Sequence, residues 1–143
     1  MLNKIEHIGI AVKDALISES IFNALLNQKP YKKEIVESEN VQTIFYQIGQ
    51  SKIELLQALS NESPIAKFIE NKGEGIHHIA FLVDDIVAEL ARLKSEGFQL
   101  IHETPKPGAD HKLIAFLHPK GTNGVLIELC QEVRSKLEMR DER

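Results

Sequence analysis

Two histidines and two glutamates recur at matching places along this chain. His7 stands in "EHIGIAVKD" at 6–14 and His78 in "HHIAFLVDD" at 77–85, and the two stretches align without gaps at an offset of 71 residues. Glu54 in "KIELLQ" at 52–57 matches Glu128 in "LIELCQ" at 126–131, at an offset of 74. Taken singly, each reads most simply as a satisfied core histidine, or as a glutamate paired with a lysine such as Lys52. Taken together they ask for more. A desolvated carboxylate must be paired, neutralised or bound to a metal. Two imidazoles and two carboxylates suit a first-row divalent cation with positions left for water or substrate.

The elements that carry these residues follow from periodicity. Each half reads strand, helix, then three strands. In the first, alternation predicts a strand over 4–12, a helix over 15–27 with Ile17, Ile21, Leu25 and Phe22 at helical spacing, and strands near 31–37, 41–48 and 52–58. In the second, strand 75–83 precedes a helix over 85–96 striped by Ile86, Leu90 and Leu93 and stopped at Gly97, with strands near 98–102, 112–118 and 124–131. Between the copies, "SPIAKFIENKGEG" predicts a short helix with Ser63 as N-cap and Pro64 in its first turn. The expected organisation is a first module at 1–60, a linker at 61–74, a second module at 75–132 and a charged tail at 133–143, the two modules forming one domain over about 4–132.

A strand sends neighbouring side chains to opposite faces, which sorts the candidates. Ile8, Ile10 and Val12 share a face suited to packing on a helix, while His7 shares the other with Gly9. The repeat gives Ile79, Phe81 and Val83 the helix-facing role and places His77 with them. His78 then matches His7, and Ala80 matches Gly9. Small residues beside both histidines leave a hollow on the inner face. Glu54 opposes Ile53 and Leu55 just as Glu128 opposes Ile127 and Leu129.

The balance of the chain narrows its partners. With 143 residues, 43% hydrophobic and 27% charged, it is long enough for one well-packed core and has the make-up of an ordinary globular protein. A net charge of -4 with scattered lysines and arginines offers no basic stripe, so nucleic acid is discounted. No apolar run suits a membrane helix, and "MLNKIEHIGI" lacks a signal-peptide layout, so a cytoplasmic protein without a membrane partner is expected. Cys130, the single cysteine, can form no internal disulfide and reads as a small buried hydrophobe rather than a nucleophile.

On "EHIGIAVKD", "KIELL", "SPIAKFI", "GIHHIAFLVDDI", "ETPKPGADHK", "FLHPK" and "GVLIEL", nearly the whole chain resembles the vicinal oxygen chelate superfamily (glyoxalase, bleomycin resistance, dioxygenase), and within it the methylmalonyl-CoA epimerase family. The resemblance implies an α+β fold in which two βαβββ repeats form a curved half-barrel sheet around a metal. It implies His7, His78 and Glu128 as ligands, with Glu54 at a fourth position, and a divalent ion such as cobalt, manganese, nickel or zinc. It further implies an acyl-CoA substrate and a homodimer. The implied reaction moves one proton on C2 of methylmalonyl-CoA through a metal-stabilised enolate, interconverting the R and S forms.

Inversion at carbon calls for a proton donor or acceptor on each face, most simply two tuned bases. Some family members carry a glutamate on the third strand of the first half, where "NVQTIFYQIG" places Thr43, which cannot be that base. Our expectation is that Glu128 and Glu54 flank the carbon and that a carboxylate released from the metal takes the proton; a register in which Gln42 occupies the inner face is the alternative. His118 suits a structural or turn role as well as substrate contact, and His102 and His111 read as solvent-facing loop residues. Lys106, Lys112 and Lys120 are candidates for CoA phosphates. Two competing functions share the fold: a glyoxalase-type isomerase or iron dioxygenase, and a metal-free small-molecule binder. The second inner glutamate counts against the dioxygenase, and all four inner ligands count against the binder.

Overall fold

The computed structural model describes residues 1–133; the charged tail expected at the C-terminus falls, from residue 134 on, outside the described residues. Among the described residues eight strands and three α-helices run in the order β1 (Leu2–Ala11), α1 (Ala15–Leu26), β2 (Lys32–Val36), β3 (Val41–Ile48), β4 (Ser51–Ala58), α2 (Pro64–Lys72), β5 (Gly75–Val83), α3 (Ile86–Ser95), β6 (Lys106–Pro107), β7 (Lys112–Leu117) and β8 (Ile127–Glu132). The fold is α+β, built from two βαβββ repeats. Two compact units arise: one spans His7–His77, and the other joins residues 1–6 to the chain from His78 onward. Among the described residues no helix is long and apolar enough to cross a membrane.

In the His7–His77 unit the strand order is β2-β3-β4-β1, with β1 and β4 parallel and the other pairs antiparallel. The other unit repeats this as β6-β7-β8-β5, again with one parallel pair, β5 and β8. Each strand thus has its repeat mate at the same place in the strand order of its own unit. One face of each sheet is packed by a helix. In the first unit Val12, Ala15, Ile44, Tyr46 and Leu55 form a buried cluster edged by Ile10, Phe22, Leu26 and Ile53. In the second, Val83, Ile86, Leu90, Leu93, Leu113, Ala115, Leu117 and Leu129 do the same. Truncating a residue as buried as Leu90, 2% exposed, costs ~2–5 kcal/mol by lost transfer energy and cavity formation.

The helix starts show how the repeat is fastened. Asp14 caps α1 through Oδ1, which accepts from the Leu16 and Ile17 amides at 3.0 and 3.1 Å. Its repeat mate Asp85 caps α3, accepting from Ala88 at 3.1 Å. A second orphan amide of each helix is met from the sheet: Gln57 Oε1 accepts from Ala15 N at 2.5 Å, and Gln131 Oε1 from Ile86 N at 2.8 Å. The glutamines that close "KIELLQ" and "LIELCQ" therefore anchor each helix to the last strand of its module. Ser63 caps α2 as expected, its Oγ accepting from Ile65 N at 3.2 Å.

Two expectations are corrected. On α1 the buried side is formed by Ala15 and Ser18, continued by Phe22 and Leu26, whereas Ile17, Ile21 and Leu25 are 61%, 58% and 70% exposed. Apolar residues occupy both sides of this helix, so its stripe alone did not tell inside from outside. The strand expected near 98–102 is a single bridge, Leu100 to Leu117, and the edge strand β6 lies later at Lys106–Pro107. Prolines at 105 and 107 lack the amide that a longer ladder needs.

Candidate active site

In the His7–His77 unit, the parallel pairing of β1 with β4 sets Gly9 opposite Glu54 and Ile10 opposite Leu55. Residues directly opposite share a face. Leu55 and Ile10 go to the α1 core, so Glu54, Gly9 and, two residues before it, His7 take the other face. Nothing projects from Gly9 to separate them. His7 Nδ1 lies 3.1 Å from Glu54 Oε2, with each side chain 6% exposed. On β3, Phe45 stands opposite Glu54 on this inner face, and Thr43 follows two residues away, 1% exposed. Gln42, opposite Gln57, is on the helix side. The alternative register that brought Gln42 inward is thereby excluded, because Ile44 and Tyr46, sharing its face, pack on α1.

The second unit repeats the arrangement. Ala80 stands opposite Glu128 and Leu82 opposite Cys130, so His78, Ala80, Glu128 and Cys130 lie on one face. His78 Nε2 is 2.9 Å from Glu128 Oε1, and the two side chains are 5% and 6% exposed. Phe116, the cross-strand partner of Glu128 and the counterpart of Phe45, meets the His78 ring edge-on at 5.6 Å between centroids. The two pairs differ in which imidazole nitrogen faces the carboxylate. Cys130 is wholly buried beside Ala80 and Ile114, with its Sγ 3.5 Å from the Phe81 carbonyl, as expected of a small hydrophobe.

His77 takes the opposite face from His78. Its ring meets Phe68 of α2 edge-on at 5.0 Å, a packing role. His118 Nδ1 accepts from the Lys120 amide at 3.1 Å and so closes the turn after β7. His102 lies in a loop as expected but is not solvent-facing. It is half-buried, and its Nδ1 accepts from the Phe116 amide at 3.1 Å, which supports the strand carrying the aromatic neighbour of His78. Spacing gave no sign of it, since the 98–102 segment runs beside β7 without forming a ladder. Of the three candidate lysines, Lys112 is buried, Lys106 half-buried and Lys120 exposed.

A family profile described as the glyoxalase/bleomycin resistance protein/dioxygenase superfamily matches residues 6–116. The chain belongs to this superfamily. Its glyoxalase-like fold is shared with relatives of known and unknown activity. An uncharacterised Bacillus subtilis protein, YqjC, is 42% identical over 130 residues, covering 91% of this chain and 93% of that protein. The ethylmalonyl-CoA/methylmalonyl-CoA epimerase of Cereibacter sphaeroides is 39% identical over 133 residues, covering 92% and 99%. Among solved structures, a variant of Streptomyces coelicolor methylmalonyl-CoA epimerase in complex with 2-nitronate-propionyl-CoA has a TM-score of 0.90 at 31% identity, covering 94% of this chain and 97% of that one.

Proposed function

We propose that this chain is a metal-dependent epimerase interconverting the 2R and 2S forms of methylmalonyl-CoA. The observation that carries the reading is the duplicated buried pair, His7 with Glu54 and His78 with Glu128, each set beside a residue too small to fill the space next to it. Relatives named as epimerases of methylmalonyl-CoA support the choice of substrate. In this reading the two pairs serve one site.

The donor set fits a divalent ion. Imidazole nitrogens and carboxylate oxygens, all nine-tenths buried or more, are the ligands that cobalt, manganese, nickel and zinc accept. His7, His78 and Glu128 would hold the ion, with Glu54 at a fourth position. When bound, it supplies Lewis acidity to the oxygens on which negative charge develops. The chain's own side chains do the rest. Glu54 and Glu128 flank C2; a carboxylate released from the metal would take the proton from one face, and the other, carrying a proton, would deliver it to the opposite face. Thr43, lacking an acidic group, shapes the wall beside Glu54. Phe45 and Phe116 line the approach to the two carboxylates with apolar surface, which keeps bulk water from competing for the proton.

The working unit in this proposal is a homodimer. Ile17, Ile21 and Leu25 leave an apolar side of α1 open, 58% to 70% exposed residue by residue, and a second copy covering it would remove that surface from water. The test of function is epimerisation of one enantiomer of methylmalonyl-CoA by protein stripped with chelator and reloaded with cobalt. Activity that falls on stripping and returns on reloading supports the reading, and stereochemically inert substrate in both preparations refutes it.

A further inference from the structure

We infer that Lys112 binds a phosphate of the CoA arm; the choice of ligand rests on the epimerase reading. Lys112 is the only buried lysine among the described residues, 7% exposed. It opens β7, and its register places it on the site face: Lys112 opposes Glu132, Ile114 opposes Cys130 and Phe116 opposes Glu128. Its ammonium offers three donors. Among the described residues it has one partner, the uncharged carbonyl oxygen of Asp110 at 3.2 Å. The cross-strand carboxylate of Glu132 is exposed and forms no ion pair with it. A buried cation facing a single neutral acceptor is costly to keep. An anionic ligand removes that cost.

Position along the strand selects the anion. Lys112 lies four residues from Phe116, about 13 Å along a strand at 3.3 Å per residue, from the row that carries Glu128. A thioester and carboxylate held at Glu128 are too far away to be its partner. The pantetheine arm beyond them carries amides and no charge, so the next anions are the phosphates. The loop before β7 packs closely against the strand that carries Lys112. Gly108 N donates to Lys112 O at 2.9 Å, and an added Cβ at Gly108 would meet the Ile114 side chain at 2.8 Å.

The test compares CoA with pantetheine, which lacks the phosphates, as ligands of metal-loaded protein measured by calorimetry. The proteins are wild type, Lys112→Met and Lys112→Gln. Melting curves and metal content confirm that each variant is folded and loaded, and the glutamine variant retains a donor for the Asp110 carbonyl. Loss of a charge-assisted contact is expected to weaken CoA about tenfold in both variants and leave pantetheine unchanged. The KM for methylmalonyl-CoA is expected to rise by the same factor, with kcat within about twofold. Undiminished CoA affinity, or an equal loss for both ligands, overturns the assignment. If the wild type turns over no methylmalonyl-CoA but its CoA affinity still depends on Lys112, the epimerase reading fails and the phosphate contact stands.

Discussion

His78 and Glu128 meet at 2.9 Å across the parallel pair β5 and β8, and they do so because Ala80 is the residue opposite Glu128. The histidine enters two residues earlier on the same face, and the methyl of Ala80 leaves the carboxylate room to lean toward it. Gly9 plays that part for His7 and Glu54. A larger residue at either small position would separate a pair without touching either member. Ala80→Leu is therefore expected to cut metal affinity by tenfold or more, as measured by competition with a chelating dye. It also overpacks the inner face at a cost of about 1–3 kcal/mol.

The adjacent histidines give a paired experiment. His78→Ala removes a proposed ligand and is expected to abolish stoichiometric metal binding and activity. His77→Ala removes a ring contact with Phe68 and is expected to keep metal and activity while losing about 1 kcal/mol, read as a lower melting temperature. Equal metal loss in the two variants would contradict the facing of this strand.

That facing was legible from alternation and the repeat alone, and so were the cap at Ser63 and the placing of Glu54 and Glu128 on the face opposite Leu55 and Leu129. The direction of α1 was not. Ile17, Ile21 and Leu25 make a convincing stripe, yet Ala15, Ser18 and Phe22 lie inward, because the sheet beneath offers Ile44, Tyr46 and Leu55 and leaves only shallow space for small residues at the helix start. The roles of Gln57, Gln131 and His102 were also hidden. Each acts through a hydrogen bond to backbone far along the chain, and such partners are set by tertiary packing rather than by spacing.

Gln57→Ala and Gln131→Ala each leave a helix-start amide without its acceptor. Either is expected to destabilise the chain by about 1–2 kcal/mol in urea unfolding, with the double variant near the sum. Additivity follows from their placement in separate modules.

Tyr46 provides a pH signature. Its side chain is wholly buried and bonded to the Asn23 amide at 2.7 Å; burial, reinforced by the charge of Glu19, raises its pKa above the ordinary 10.0. The folded chain thus holds this proton more tightly than the unfolded one. Its contribution to stability is complete below the unfolded pKa and is lost as pH rises through the folded value. Tyrosinate absorbance during an alkaline titration should show a late step that is missing in Tyr46→Phe.

The homodimer proposed above is expected to meet across the exposed side of α1. Ile17→Lys combined with Ile21→Glu should shift sedimentation toward the monomer with little loss of monomer stability, since both residues are more than half exposed. An unchanged dimer would place the interface elsewhere.

The proposed mechanism gives Glu54 and Glu128 the proton transfers. Glu128→Gln and Glu54→Gln are each expected to lower kcat by 10²–10⁴. A Glu54→Gln variant that retained metal and full activity would remove Glu54 from that role.

Exchange of the C2 hydrogen tests the central claim most directly. The metal-loaded protein is incubated with methylmalonyl-CoA in heavy water, with and without a chelator, and deuterium at C2 is followed by mass spectrometry. Rapid incorporation that the chelator suppresses is the expected result; incorporation no faster than in buffer, with or without the chelator, would contradict the account.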